Sequence, residues 1–183
     1  VSSDTLMSTC GCSSGIDQAA RSFTTPGDIA VAEAPTYYLA HRILEDSGLK
    51  LKEVPMQEDG LDLEALRRVC EEHRGQVKLV YTIPIHHNPT GVTLSASKRK
   101  ALVNMAQEFD FMIVADEAYQ LLSFEPTEVL PLFYSDDPAN PRVVSVGSFS
   151  KLIGPGLKVG WIQAHPAVLN GLFAKAGWIK SGR

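Results

Sequence analysis

The sequence predicts a three-layer α/β/α domain, and three observations carry that prediction. Apolar runs of strand length alternate with helical patterns along most of the chain, which favours a parallel sheet with helices on both faces. Several of those runs are almost continuously apolar, as strands buried from both sides are. Three of them empty directly into polar clusters, and a parallel sheet collects the carboxyl ends of its strands along one crevice.

Seven runs read as strands: Thr5–Thr9, Ile29–Glu33, Leu51–Val54, Lys78–Ile83, Met112–Ala115, Arg142–Val146 and Val159–Gln163. Between them the helical patterns follow in order. Ser14–Phe23 ends before the turn Pro26-Gly27-Asp28, and Tyr37–Ser47 is stopped by Gly48. Asp62 is placed to cap Leu63–His73, where Leu63, Leu66, Val69 and Cys70 recur at helical spacing and Gly75 terminates. Ser95 is placed to cap a helix to Phe109, with Leu102, Val103, Ala106 and Phe109 on one stripe. Pro166, at a first helical position, opens a segment through Ala176. Thr127–Pro141, rich in proline and aspartate, reads as a loop with one short turn.

A chain of 183 residues suits one domain with a sizeable core. A net charge of −4 gives no electrostatic case for nucleic acid. No apolar run approaches a membrane span and no signal peptide is visible, so a cytoplasmic protein is expected. Cys10, Cys12 and Cys70 are an odd set without paired spacing, which points to reduced thiols. His86-His87 alone does not make a zinc site, and no metal is expected.

The most informative residue is Lys151. The run Val143-Val144-Ser145-Val146-Gly147 leads into Ser148-Phe149-Ser150-Lys151 and then Gly154-Pro155-Gly156. An amine at the end of an apolar strand is expected to be dehydrated enough to lose its proton, and a neutral amine attacks carbonyl carbon. Val77 to Pro84 likewise leads to Asn88-Pro89-Thr90-Gly91, and Phe111 to Ala115 leads to Asp116-Glu117-Ala118-Tyr119. The Ser148-x-x-Lys151 spacing also matches a serine β-lactamase signature, and Lys180-Ser181-Gly182 imitates its distal element. That signature needs Ser and Lys on one helical turn, which Gly154-Pro155-Gly156 breaks.

Together with Gly11-Cys12-Ser13-Ser14-Gly15 and Glu33-Ala34-Pro35-Thr36-Tyr37, these segments resemble, in content and order, the class I/II aminotransferases of the fold-type I pyridoxal-phosphate family. The resemblance covers nearly the whole chain. It implies a seven-stranded, mostly parallel sheet whose last strand, Val159–Gln163, runs antiparallel. It also implies that residues 1–183 are the cofactor-binding large domain, without the N-terminal arm and C-terminal small domain, and inactive alone.

The resemblance further implies a pyridoxal 5'-phosphate site and a homodimer when full length. The reaction would move an amino group between an amino acid and a 2-oxo acid, with a leaning to aromatic, kynurenine or 2-aminoadipate substrates. The family also includes sensor domains of helix-turn-helix transcription regulators, which keep the same motifs. Lys151 would carry the Schiff base and move the α-proton; by itself it would be an ordinary surface lysine. Asp116, expected half-buried, would pair with the pyridinium nitrogen; otherwise it is a turn or helix-capping aspartate. Tyr119 and Asn88 would donate to the ring's phenolic oxygen, against plain readings as a core-edge tyrosine and a turn-forming Asn-Pro. Tyr37 would stack on the ring, or simply pack. Gly11, Cys12 and Ser13 precede a helix and would hold the phosphate by their amides, aided by Ser148 and Ser150. Lys158 stands where the family usually has arginine, and His87 where relatives often have glutamine. Lysine keeps the charge but loses the bidentate fork. The family's carboxylate-binding arginine belongs to its C-terminal part, and Arg183 is not it.

Overall fold

The structure, a computed structural model, describes residues 3–124 and 131–176. Residues 127–130 of the expected loop, the Lys180-Ser181-Gly182 element and Arg183 lie outside the described residues. The strands are β1 (Leu6–Thr9), β2 (Ile29–Ala34), β3 (Lys50–Gln57), β4 (Gly60–Leu61), β5 (Val77–Thr82), β6 (Met112–Asp116), β7 (Val143–Ser148) and β8 (Gly160–Ala164). The helices are α1 (Cys12–Phe23), α2 (Tyr38–Asp46), α3 (Leu63–Glu72), α4 (Ala96–Phe109) and α5 (Pro166–Ala176).

One sheet runs in the order β1-β8-β7-β6-β5-β2-β3-β4. Strands β3, β2, β5, β6 and β7 are mutually parallel. β8 is antiparallel to both β7 and β1, so β1 points the same way as β7. Six carboxyl ends, those of β1, β2, β3, β5, β6 and β7, therefore share one edge. The sheet has eight strands where seven were expected. The addition is β4, in which Gly60 and Leu61 fold back on Gln57 and Met56. Two residues are too few to show alternation, and the turn requires Gly60 at φ +114, a conformation only glycine adopts freely.

Alternation within each strand builds two cores. One face of the sheet, including Ala30, Leu79, Tyr81, Val114, Val146 and Ile162, packs under α1, α2 and α5. The other, including Val31, Val80, Ile113, Ala115 and Val143, packs under α3 and α4. Strands β6 and β7 are buried at every residue, which is why their sequences show no alternation. The helix signals hold: Asp62 accepts from the Ala65 amide at 2.9 Å and Ser95 from the Lys98 amide at 3.4 Å. Within residues 131–141 the loop contains a 3-10 turn, Leu132–Ser135.

Gly160 is where β1 and β7 reach β8. A Cβ there would lie 2.6 Å from the Gly147 carbonyl oxygen and 2.7 Å from the Gly11 Cα, both backbone atoms that cannot swing aside. Gly160→Ala is therefore expected to lower stability by about 3 kcal/mol, the upper end of ordinary overpacking. Urea denaturation checks this; a midpoint unchanged from that of the parent chain would refute the close approach.

Candidate active site

The shared edge brings the expected site residues together from five strands. β1 ends in Gly11, whose φ of +94 turns the chain into α1. Helix α1 starts two residues earlier than the sequence suggests, so Cys12 and Ser13 form its first turn. Its N-terminus carries no side-chain cap, which leaves those amides pointing at the crevice. A Cβ on Gly11 would lie 3.9 Å from the Ser148 Oγ, so this turn and the end of β7 face each other.

Asp116 is the last residue of β6 and only 5% exposed, more deeply buried than the half-burial expected. The Tyr81 hydroxyl donates to its Oδ2 at 3.0 Å, and the Ala118 amide to its Oδ1 at 3.3 Å. The Cys12 thiol also donates to it. Burial raises the Asp116 carboxyl above its usual range, and these three hydrogen bonds act against that rise. Burial also pushes the Cys12 thiol well up, with the neighbouring Asp116 adding to it. Among the described residues Asp116 makes no ion pair.

Asn88 Nδ2 donates to the Tyr119 hydroxyl at 3.2 Å, so the two residues expected to serve one oxygen atom do meet. Lys151 Nζ lies 6.0 Å from the centroid of the Tyr119 ring. Tyr37, half-buried, packs at the same end of the core as Tyr119 and Cys12. The Ser148 hydroxyl donates to the Ser150 Oγ at 2.8 Å and lies 3.3 Å from the Val159 carbonyl. The Phe149 amide bonds that same carbonyl at 3.0 Å, which holds Lys158 next to the serine pair.

One expectation about this edge needs correction. Lys151 is exposed, so the end of an apolar strand does not dehydrate its amine. The strand ends at Ser148, and the following turn carries the lysine three residues out over the crevice. His87, where relatives often have glutamine, is buried. Its Nδ1 is 2.9 Å from the Thr90 Oγ1, and its Nε2 is 3.0 Å from Glu33 Oε2.

Three buried polar residues escaped the sequence reading. Glu33 ends β2 and accepts from the Thr82 hydroxyl and, at 2.9 Å, from the Ile83 amide, which fastens the end of β2 to the end of β5. Tyr81 looked like one more residue of an apolar strand. Glu117 accepts from the Leu132 amide at 2.7 Å and anchors the 3-10 turn. An acid at the end of an apolar run was the visible signal for Glu33 and Glu117. Nothing in spacing alone distinguishes Tyr81 from a packing aromatic.

The donor set suits pyridoxal phosphate. A buried carboxylate without a protein cation suits a protonated ring nitrogen, and uncapped helix amides with two serines suit a phosphate.

Residues 1–176 match the family described as Aminotransferase class I and II, and the chain belongs to it. It is 36% identical over 170 residues to aromatic-amino-acid aminotransferase 1 of Thermococcus litoralis, covering 91% of this chain and 40% of that protein. The solved kynurenine aminotransferase of Pyrococcus horikoshii, in complex with PMP, superposes with a TM-score of 0.85 at 33% identity. That match covers 94% of this chain and 43% of the other. The transcriptional regulator YisV of Bacillus subtilis, of helix-turn-helix type, is 31% identical over 144 residues, 79% of this chain and 29% of that protein. The chain thus spans less than half the length of the relatives it matches. Among the described residues no helix is long and apolar enough to cross a membrane.

Glu117 makes the fold sensitive to pH. Burial raises its carboxyl from an ordinary 4.5 to about 7, against the hydrogen bonds from Leu132 and Ser145. Between those values the native Glu117 holds a proton that unfolding releases, so its contribution to stability is fully present below 4.5 and is lost as pH rises to about 7. The raised Asp116 carboxyl acts in the same direction. Glu117→Gln is expected to remove about 3 kcal/mol of the stability loss across this window. Denaturation at pH 4.5 and pH 8 measures it; equal losses in both proteins would place the ionisation elsewhere.

Proposed function

We propose that the protein is a pyridoxal-phosphate-dependent aminotransferase that moves an amino group between an amino acid and a 2-oxo acid. The observation that carries this reading is Asp116, a buried carboxylate without a protein cation, beside the Asn88–Tyr119 pair and Lys151. When bound, pyridoxal phosphate supplies an aldehyde that condenses with amines and a ring that withdraws electrons from the adjacent carbon.

The chain's own residues then divide the work. Lys151 would be the residue that holds the aldehyde carbon, and its amine, when free, would move a proton at the substrate α-carbon. Its exposure in the turn after β7 leaves the amine open to both. Asp116 would hold the proton on the ring nitrogen. Asn88 and Tyr119 would donate to the phenolic oxygen, and Tyr37 would cover the ring face. The amides of Gly11, Cys12 and Ser13 with Ser148, Ser150 and Lys158 would hold the phosphate. A cytoplasmic homodimer completes the reading. Similarity to aromatic and kynurenine aminotransferases supports substrates of the aromatic, kynurenine or 2-aminoadipate type.

The likeness to a helix-turn-helix regulator favours a second reading, a cofactor-binding sensor domain. Borohydride reduction of the loaded protein followed by peptide mapping is expected to label Lys151 and no other lysine. Mixing the loaded full-length protein with a panel of amino acids is expected to yield the matching 2-oxo acids. Label elsewhere would sink the site assignment. Label on Lys151 without any 2-oxo acid would favour the sensor.

Lys158 is expected to balance the phosphate charge that the neutral donors leave. A charge-assisted bond contributes roughly 1.5–3 kcal/mol, so Lys158→Ala should weaken cofactor binding by about one to two powers of ten. Lys158→Arg should match or tighten it through the bidentate fork. Titration of cofactor absorbance decides; an unchanged dissociation constant in Lys158→Ala would remove this residue from the site.

A further inference from the structure

We propose that Tyr81 is a positioning residue for the cofactor's ring nitrogen: by donating to Asp116 it keeps the shared proton on the ring rather than on the carboxylate. The inference rests on the cofactor reading above and deepens it.

Tyr81 is fully buried in β5, inside the core under α1 and α2. Phenylalanine would fill the same space, so packing explains the ring and leaves the hydroxyl to be explained. A buried hydroxyl needs a partner, and this one has Asp116 Oδ2 at 3.0 Å. The sheet register makes the contact possible. Tyr81 pairs with Val114, and Asp116 lies two residues beyond Val114 on the same face, at the diagonal a long side chain spans.

The direction of the bond follows from its surroundings. Burial, reinforced by Asp116, keeps the Tyr81 hydroxyl protonated, so it can only donate to the carboxylate. The groups facing Asp116 are Cys12 on α1, Tyr37 before α2, Glu33 on β2, Tyr81 on β5, and Glu117 beyond β6. Glu33 and Glu117 are acids that favour a protonated Asp116, and the Tyr81 hydroxyl, at 3.0 Å, is a hydrogen bond working against them. It takes Oδ2 while the Ala118 amide takes Oδ1, which fixes the carboxylate plane and leaves lone pairs for one further donor. Without that hydroxyl Asp116 becomes more basic and draws the shared proton from the ring nitrogen.

The test compares Tyr81→Phe with the parent protein, using pyridoxal phosphate labelled with ¹⁵N in the ring. The ring nitrogen signal of the variant is expected to move toward that of unprotonated pyridine. Binding of pyridoxal phosphate should weaken about tenfold, the size of one hydrogen bond to a charged group. Binding of the analogue with a C–H in place of the ring nitrogen should be unchanged. An unmoved signal, or equal weakening for both ligands, would reduce Tyr81 to a structural residue and overturn the inference. If Tyr81→Phe does not fold, 3,5-difluorotyrosine at position 81 replaces it. Its stronger donor should shift the signal the opposite way, and no shift overturns the inference. A parent protein that binds no pyridoxal phosphate would instead overturn the proposed function itself.

Discussion

Asp116 is a carboxylate in the protein interior whose charge no described lysine, arginine or histidine balances. Such a group costs several kcal/mol to keep ionised unless hydrogen bonds and a positive partner offset the lost hydration. The chain supplies the hydrogen bonds from three directions, through Tyr81, the Ala118 amide and Cys12. A positive partner is not among the described residues. The arrangement is that of a receptor for a cation with one N–H to give, and the neighbouring Asn88–Tyr119 pair and the Lys151 amine are placed around the same space.

That placement follows from topology. The chain runs from β2 outward to β3, returns to lay β5 on the other side of β2, and continues through β6 and β7. The reversal between β2 and β5 separates the loops that leave their carboxyl ends, and ligands of open α/β sheets bind in such crevices. Glu33 spans this junction by binding Thr82 and Ile83 across it. On the other side of the Asn88 loop, buried Arg99 donates to the carbonyls of Leu94 at 3.0 Å and Pro84 at 3.2 Å. The loop that carries Asn88 is thus fastened at both ends to rigid elements, which is what positioning a donor to a few tenths of an ångström requires.

The legible part of the site was the part carried by local order. Asp116, Asn88, Ser148 and Lys151 each follow an apolar run, and the direction of a parallel sheet is enough to put them on one edge. Gly11 and Gly160 mark where backbones approach closely, yet only the contact of Gly160 with Gly147 and Gly11 shows why one of them tolerates no side chain. The surroundings of Tyr81 and His87 were not legible, for one reason. A tyrosine within an apolar strand and a histidine before Asn-Pro look alike whether they face a crevice, a core or each other's neighbours. What they touch lies 35 residues away for Tyr81, and at Glu33 for His87.

By itself the sequence determined the alternation of strands and helices, the positions of the helix caps and the set of polar clusters at strand ends. These depend on residues within one turn or one strand of each other, where periodicity and capping hydrogen bonds act. The tertiary structure alone decided which charges are buried and which are open to water. Lys151 proved exposed and Asp116 nearly sealed, although both follow equally apolar strands. Burial depends on what the rest of the chain packs against a residue, and no local pattern contains that.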